Sequence, residues 1–354
     1  MAKFLLFSDI HVHPHKKSQD RLNDCLEALE WAFTTAKEKQ VDAVLFGGDM
    51  LHDRQKIDTL TYFKVFNVLE KYQNEKFKTY LLVGNHDMWF ANSWSVSSVV
   101  PFRALKNFHV IEKTQVLDIC DVNWHFIPYT HDPIKEVKSI ESQNQDSYLL
   151  AHLAIDGAKL NSSGSLADVI IEHDGDMVVV ERNLFAAYKR AFFGHYHSHQ
   201  KLTPTVEYIG SPLQLSFGEA GDKKYLLILD SNTNTVDYIE NKFSPKHFYI
   251  KQNEIENYDK KDLANSFVCI LSEDTSDIKK DMSKIEELGA NSVQIKKQSK
   301  KLDEHAIQDA KQLLVDDAKL LENYIEQVQN CVLDKKKLLD LGNVIMRYEA
   351  DEKD

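Results

Sequence analysis

Apolar residues come in short unbroken runs near the start of the chain: Phe4-Leu5-Leu6-Phe7, Ala43-Val44-Leu45-Phe46 and Tyr80-Leu81-Leu82-Val83. A run without polar alternation suits a strand covered on both faces, so the three predict buried strands of an α/β unit. Between the first two, Leu22, Leu26, Leu29, Phe33 and Ala36 recur at spacings of three and four, which gives one helix face an apolar stripe. The stretch from Leu60 to Tyr72 has a similar period and predicts a second connecting helix.

Further along, the segments 123–127, 148–151, 191–193, 206–209 and 225–229 are short, apolar and flanked by turn residues, as strands are. Fewer helical stretches separate them. This predicts a more antiparallel second sheet packed on the first, in a four-layer α/β/β/α sandwich. After Lys242 the texture changes: 267–271, 278–288 and 292–295 read as strand, helix and strand of a small α/β domain. From Leu302 onward, Ile307, Ala310, Leu314, Ala318, Leu321 and Ile325 keep helical spacing with almost no Gly or Pro. The expected division is a layered domain over 1–242, a small α/β capping domain over 243–301 and C-terminal helices over 302–354. No internal repeat is visible.

At roughly 100–200 residues per domain, 354 residues allow about two domains and an appendage. Apolar residues at 43% and aromatics at 10%, with no low-complexity tract, argue against extensive disorder. No apolar run approaches the ~20 residues of a bilayer span. Met-Ala-Lys followed by one short apolar run reads as the approach to a strand, not as a signal peptide. Cys25, Cys120, Cys269 and Cys331 are far apart, which argues against zinc ribbons and disulfide frameworks and leads us to expect a reducing, cytoplasmic compartment. A net charge of −12 counts against nucleic-acid binding, because phosphate contacts need cations. Bound divalent metals, or a basic partner protein, would remove that objection locally.

Candidate chemistry falls at the ends of the apolar runs. Asp9 and His11 follow the first, Asp49 the second, Asn85-His86-Asp87 the third, His152 a later one and His195-x-His197 another. Ligand sites of α/β sheets gather at the carboxyl ends of strands, so these distant segments can converge on one crevice. Alone, Gly48-Asp49 is a turn and His152 a core histidine. Gly84-Asn85-His86-Asp87 and Gly194-His195-Tyr196-His197 are more specific, because a plain turn needs no imidazole beside a carboxylate. Carboxylate, imidazole and amide donors suit manganese, iron or zinc better than calcium or magnesium. Their number is enough for two ions, with Asp49 the natural bridge.

In this order, Asp9-x-His11, Gly48-Asp49, Gly84-Asn85-His86-Asp87, His152 and Gly194-His195-x-His197 resemble the full signature of calcineurin-like metallophosphoesterases. The resemblance implies one metal on Asp9, His11, Asp49 and His197, and a second on Asp49, Asn85, His152 and His195. It implies that His86, positioned by Asp87, stabilises the transition state or protonates the leaving oxygen, work that suits an imidazole. His52 matches a second active-site histidine, and Arg54 is a candidate phosphate contact. Gly210-Ser211-Pro212, within 208–219, resembles the segment that follows the last metal motif in SbcD-type nucleases. That branch implies a manganese-dependent DNA exonuclease or endonuclease subunit acting in recombination, repair or replication. Its expected partners are DNA, an SbcC-type coiled-coil ATPase docked through the helices after Leu302, and a second copy of the chain. The compact length is similar to that of phage-encoded recombination nucleases, for which the compartment would be the host cytoplasm. His13 and His15 depart from the pattern.

Three other readings are open. Asp-x-His-x-His also resembles barrel amidohydrolases and histidinol-phosphatase-like enzymes, which lack the later motifs. The same metal chemistry would serve a phosphatase or phosphodiesterase acting on nucleotides or phosphoproteins. A scaffold with a relic site would not keep every ligand position filled.

Overall fold

The computed structural model describes residues 2–90, 93–140, 146–159, 171–172, 175–176, 178–272 and 278–297. The helical region expected over 302–354 lies outside them. The three apolar runs form strands at Lys3–Phe7, Ala43–Phe46 and Lys78–Leu82, and the two stripes form helices at Gln19–Glu38 and Thr59–Lys71. Each helix starts at a residue able to cap it: Ser18 accepts from the Arg21 amide, and Asp58 from the Thr61 amide.

Lys3–Phe7 lies between Ala43–Phe46, which runs parallel to it, and Tyr225–Asp230, which runs antiparallel. The first six-stranded sheet has the order Thr235–Glu240, Tyr225–Asp230, Lys3–Phe7, Ala43–Phe46, Lys78–Leu82, Phe108–Ile111. The second, also six-stranded, has the order Gln200–Lys201, Val206–Tyr208, Arg190–Gly194, Tyr148–His152, Val122–Ile127, Gln115–Ile119. Two expectations are corrected here. The second sheet is parallel through its four central strands and antiparallel at its margins. Segment 225–229 joins the first sheet, not the second. The connections from Ile127 to Tyr148 and from His152 to Arg190 are long enough to carry the chain back to its starting side, as parallel pairing requires.

Three apolar cores separate the layers. Phe4, Leu6, Leu45 and Leu82 of the first sheet meet Trp124, Phe126, Leu150 and Phe192 of the second between the sheets. On its other face the first sheet turns Leu5, Phe7, Val44 and Phe46 toward Leu22, Ala28, Leu29 and Phe33 of the first helix. The second sheet turns Leu149, Ala151 and Phe193 toward Val137 and Ile140 of the helix Pro133–Ile140, and toward Phe185. This is the expected mixed α/β sandwich of helix, sheet, sheet, helix. Farther along, Lys246–Lys251, Ser266–Ser272 and Ser292–Lys297 form a three-stranded sheet, and Ile250, Val268 and Ile270 pack with Ile285 of the helix Ile278–Glu287. Among the described residues Cys25, Cys120 and Cys269 are free thiols, and no helix is long and apolar enough to cross a membrane.

Candidate metal centre

Parallel pairing of the first two strands continues past their ends. The Asp9 amide donates to the Gly48 carbonyl, His11 to Asp49 and Val12 to Met50, so the two loops leave the sheet side by side. Within them Asp9, His11 and Asp49 take positive φ of 53°, 46° and 61°, and His195 in the second sheet takes 104°. Left-handed backbone at non-glycine residues is costly and collects where surrounding structure over-determines it, as at functional sites. Here it turns four polar side chains into one crevice at the carboxyl ends of both sheets.

There the candidate residues meet. Asp49 Oδ2 stands 3.4 Å from His11 Nε2 and 3.4 Å from His152 Nε2, one carboxylate oxygen between two imidazoles. His11 Nε2 is 3.0 Å from His197 Nε2. Asn85 Oδ1 lies 2.9 Å from His152 Nε2 and 3.1 Å from His195 Nδ1. Asp9 accepts from the His195 amide at 2.9 Å. The ligand atoms of Asp9, His11 and His197, of Asp9, Asp49 and His152, and of His11, His52 and His86 each fall within 4.8 Å of one another. All seven residues expected to be ligands therefore share one site.

The electrostatics of that site call for cations. Asp9 and Asp49 are 0% and 1% exposed, and among the described residues neither pairs with a lysine or arginine. Buried carboxylates cost several kcal/mol each unless positive charge offsets them, and among the described residues the groups at hand to do so are histidines. Burial pushes Asp9 up; it also acts on Asp49, but there His152, His86 and His11 outweigh it and hold the carboxyl well below its usual range. Burial opposes charge on His152 too, yet Asp49 and Asp9 raise it to about 9. Burial and the charge of His152 drive His195 down to about 3.

Three histidines are oriented alike. His152 Nδ1 lies 2.8 Å from the Gly47 carbonyl, His86 Nδ1 lies 2.6 Å from the His52 carbonyl, and His197 Nδ1 lies 3.0 Å from Glu219 Oε1. For His152 and His197 a proton on Nδ1 donates outward and leaves Nε2 with a lone pair for a cation, the arrangement typical of metal-binding histidines. For His86, outside the expected ligand set, the same kind of bond fixes the ring. Glu219 is itself fixed by Lys224 Nζ at 2.5 Å, Ser211 Oγ at 3.1 Å and the Leu215 amide at 3.3 Å. The Gly-Ser-Pro segment thus braces the crevice. Glu219 closes the 208–219 segment, and its role is not legible there, because its partners Lys224 and His197 are brought to it by the fold and not by local spacing.

Asp87 sits differently from the role the resemblance implied. Its carboxylate accepts from the amides of Gly84, Asp49, Met50 and Leu51, and among the described residues it makes no hydrogen bond to His86. It ties two loops together, while the His52 carbonyl holds His86. The His52 ring stacks on His86 at 5.5 Å and lies 5.1 Å from both His13 and His15. His13 Nε2 is 3.1 Å from Asp53 Oδ2, and His15 Nε2 is 3.2 Å from the His11 carbonyl. The extra histidines therefore extend the cluster outward. Arg54 is partly exposed in the loop beyond His52.

Residues 2–199 match the calcineurin-like phosphoesterase family. The chain belongs to that family. This phosphoesterase is 25% identical over 247 residues to a putative phosphoesterase, 244L, of Invertebrate iridescent virus 6, covering 67% of this chain and 79% of that one. It is 20% identical over 267 residues to exonuclease subunit 1 of Enterobacteria phage T4, covering 74% and 73%. It is 30% identical over 93 residues to the double-strand break repair protein MRE11 of Arabidopsis thaliana, covering 26% and 13%. As a metallophosphoesterase it is a hydrolase, and its buried His and Asp clusters suit a dimetal site. Beside the phosphoesterase centre lies a cleft of about 900 Å³, whose lining includes His52, His197, Phe217 and Phe267.

Proposed function

We propose that this phosphoesterase is a DNA nuclease that cleaves phosphodiester bonds at a two-metal centre, as the nuclease subunit of an SbcCD-like complex in recombination, repair or replication. The carrying observation is the crevice in which the Asp49 carboxylate faces His11 on one side and His152 on the other. Asp9, His11, Asp49 and His197 would hold one cation, and Asp49, Asn85, His152 and His195 the other; manganese suits this donor set. Such a pair supplies an activated water and neutralises charge on the phosphoryl oxygens. His86, its Nδ1–H held by the His52 carbonyl, would in its doubly protonated form also carry a proton on Nε2 to give to the departing sugar oxygen. His52 supports it by stacking, and Asp87 fixes the loops that carry Asp49 and His86.

The phage exonuclease subunit and the repair protein among its relatives favour DNA over nucleotides or phosphoproteins. On this reading 243–301 caps the nuclease domain of 1–242, the region after Leu302 docks a coiled-coil ATPase, and the chain works as a dimer. The test is an assay of plasmid, hairpin and blunt duplex beside a generic phosphodiester, with manganese. Cleavage of DNA supports the reading; hydrolysis of the small ester with DNA left intact refutes it.

A further inference from the structure

We infer that this chain carries a third cation site, outside the candidate dimetal centre, in which His13, His15 and His52 hold one divalent ion of the zinc class. It would be present whatever ester the enzyme cleaves. His13 and His15 are the two histidines that the family signature leaves without a task, and the fold gives them a common neighbour. The Val12 amide donates to the Met50 carbonyl, and Val12 and Leu51 form a parallel bridge. Segments 13–15 and 52–53 therefore leave the sheet side by side. A bond from the His15 amide to the His13 carbonyl then turns the second imidazole back beside the first.

The three rings stand at the corners of a triangle whose sides, centre to centre, are each 5.1 Å. Zinc binds an imidazole nitrogen at about 2.0–2.1 Å and so lies roughly 3.2 Å from the ring centre; two rings on one tetrahedral ion are then about 5.2 Å apart. The triangle has that spacing.

The hydrogen bonds leave the right atoms free. His13 Nε2 is 3.1 Å from Asp53 Oδ2, and His15 Nε2 is 3.2 Å from the His11 carbonyl. A proton on each Nε2 donates to that oxygen and leaves Nδ1 with the lone pair, and a carboxylate or carbonyl behind the ring is the support that metal-binding histidines have. His13 Nδ1 and His52 Nδ1 are buried and, among the described residues, have no hydrogen-bond partner. Each such atom costs about 1–3 kcal/mol. One ion satisfies both. His15 and His52 line the cleft of about 900 Å³, which gives the ion its way in. A set of imidazoles suits zinc, whereas manganese, the weakest binder of the divalent series, favours carboxylates. An ion there also holds the ring that stacks on His86.

The test counts the ions bound to the full chain after equilibrium dialysis against manganese alone or zinc alone. We expect two equivalents of manganese and three of zinc. His13→Gln with His15→Gln should lower zinc to two and leave manganese at two. Asp53→Ala, a change at a half-exposed side chain, should keep the third zinc but weaken it about 10–100-fold. Two equivalents of zinc on the unsubstituted chain, or three on the double variant, would overturn the site. So would a double variant that loses manganese as well, since it would assign these histidines to the dimetal centre. Should the double variant fail to fold, an undiminished affinity for the third zinc in Asp53→Ala decides against the site. Manganese at two with zinc also at two removes the third site and leaves the dimetal centre standing.

Discussion

Asp87 is buried, and burial together with the Asp49 charge pushes its carboxyl up to about 7, against four amides that favour the ionised form. Each buried donor left without a partner costs about 1–3 kcal/mol. Asp87→Ala should therefore lower stability by about 3 kcal/mol or more in urea unfolding, and should weaken manganese binding because the same amides position Asp49. His86→Ala should behave in the opposite way, keeping stability and metal stoichiometry while losing cleavage; a variant that binds no manganese in calorimetry would defeat the assignment. Glu219 carries a pH signature. Burial alone would raise its carboxyl, but Lys224, aided by His197, outweighs burial and holds it below the ordinary 4.5. A carboxyl depressed by folding stabilises the native state above its unfolded pKa, and that contribution fades as pH falls toward the folded value. The stability gap between the native enzyme and Glu219→Gln should accordingly be full near neutrality and shrink below pH 4.5; a gap independent of pH would count against the pairing. The same variant should bind manganese about 10–100-fold more weakly, the usual cost of losing a partner behind a metal ligand.

At the scale of elements, the loops after the strands are built for close approach. A Cβ on Gly84 would collide with the Asp49 carboxylate and its backbone nitrogen, and Gly48 combines φ of 105° with a neighbouring His152 ring. Gly84→Ala should retain its circular dichroism yet fail to bind two equivalents of manganese, and full occupancy would show the loop to be more yielding than the packing implies. These elements differ in how legible they were. Phe4-Leu5-Leu6-Phe7 announced a doubly covered strand because every residue in it faces a core. The direction of the second sheet was harder to read, since pairing follows the path of the connections rather than the apolar pattern. One sign of it was present: Leu149-Leu150-Ala151 and Ala191-Phe192-Phe193 are unbroken apolar runs, as buried parallel strands are. The meeting of the candidate ligands was expected from their positions at strand ends. The partners of Asp87 were not, because Asp49, Met50 and Leu51 are 36 to 38 residues away and nothing local marks the bonds.

For the whole molecule, the decisive fact is that the centre draws on both sheets. Asp9, His11, Asp49 and Asn85 follow strands of the first, whereas His152, His195 and His197 belong to the second. Cations held there would fasten the layers as well as serve the chemistry proposed for them. Manganese at about a hundred times its dissociation constant should add about 2.7 kcal/mol to stability and raise the thermal midpoint by several degrees, with a chelator reversing the shift. Asp49→Asn should blunt the response, and an undiminished rise in that variant would locate the stabilising ions elsewhere. The first sheet is itself complete only when Tyr225–Asp230 returns to lie against Lys3–Phe7. On one side, therefore, the strand that leads into Asp9 and His11 is flanked only by chain made after His197. During synthesis the loops of the candidate centre are all present before the sheet beneath them has closed, so its firm geometry should come late, with the return of Tyr225–Asp230.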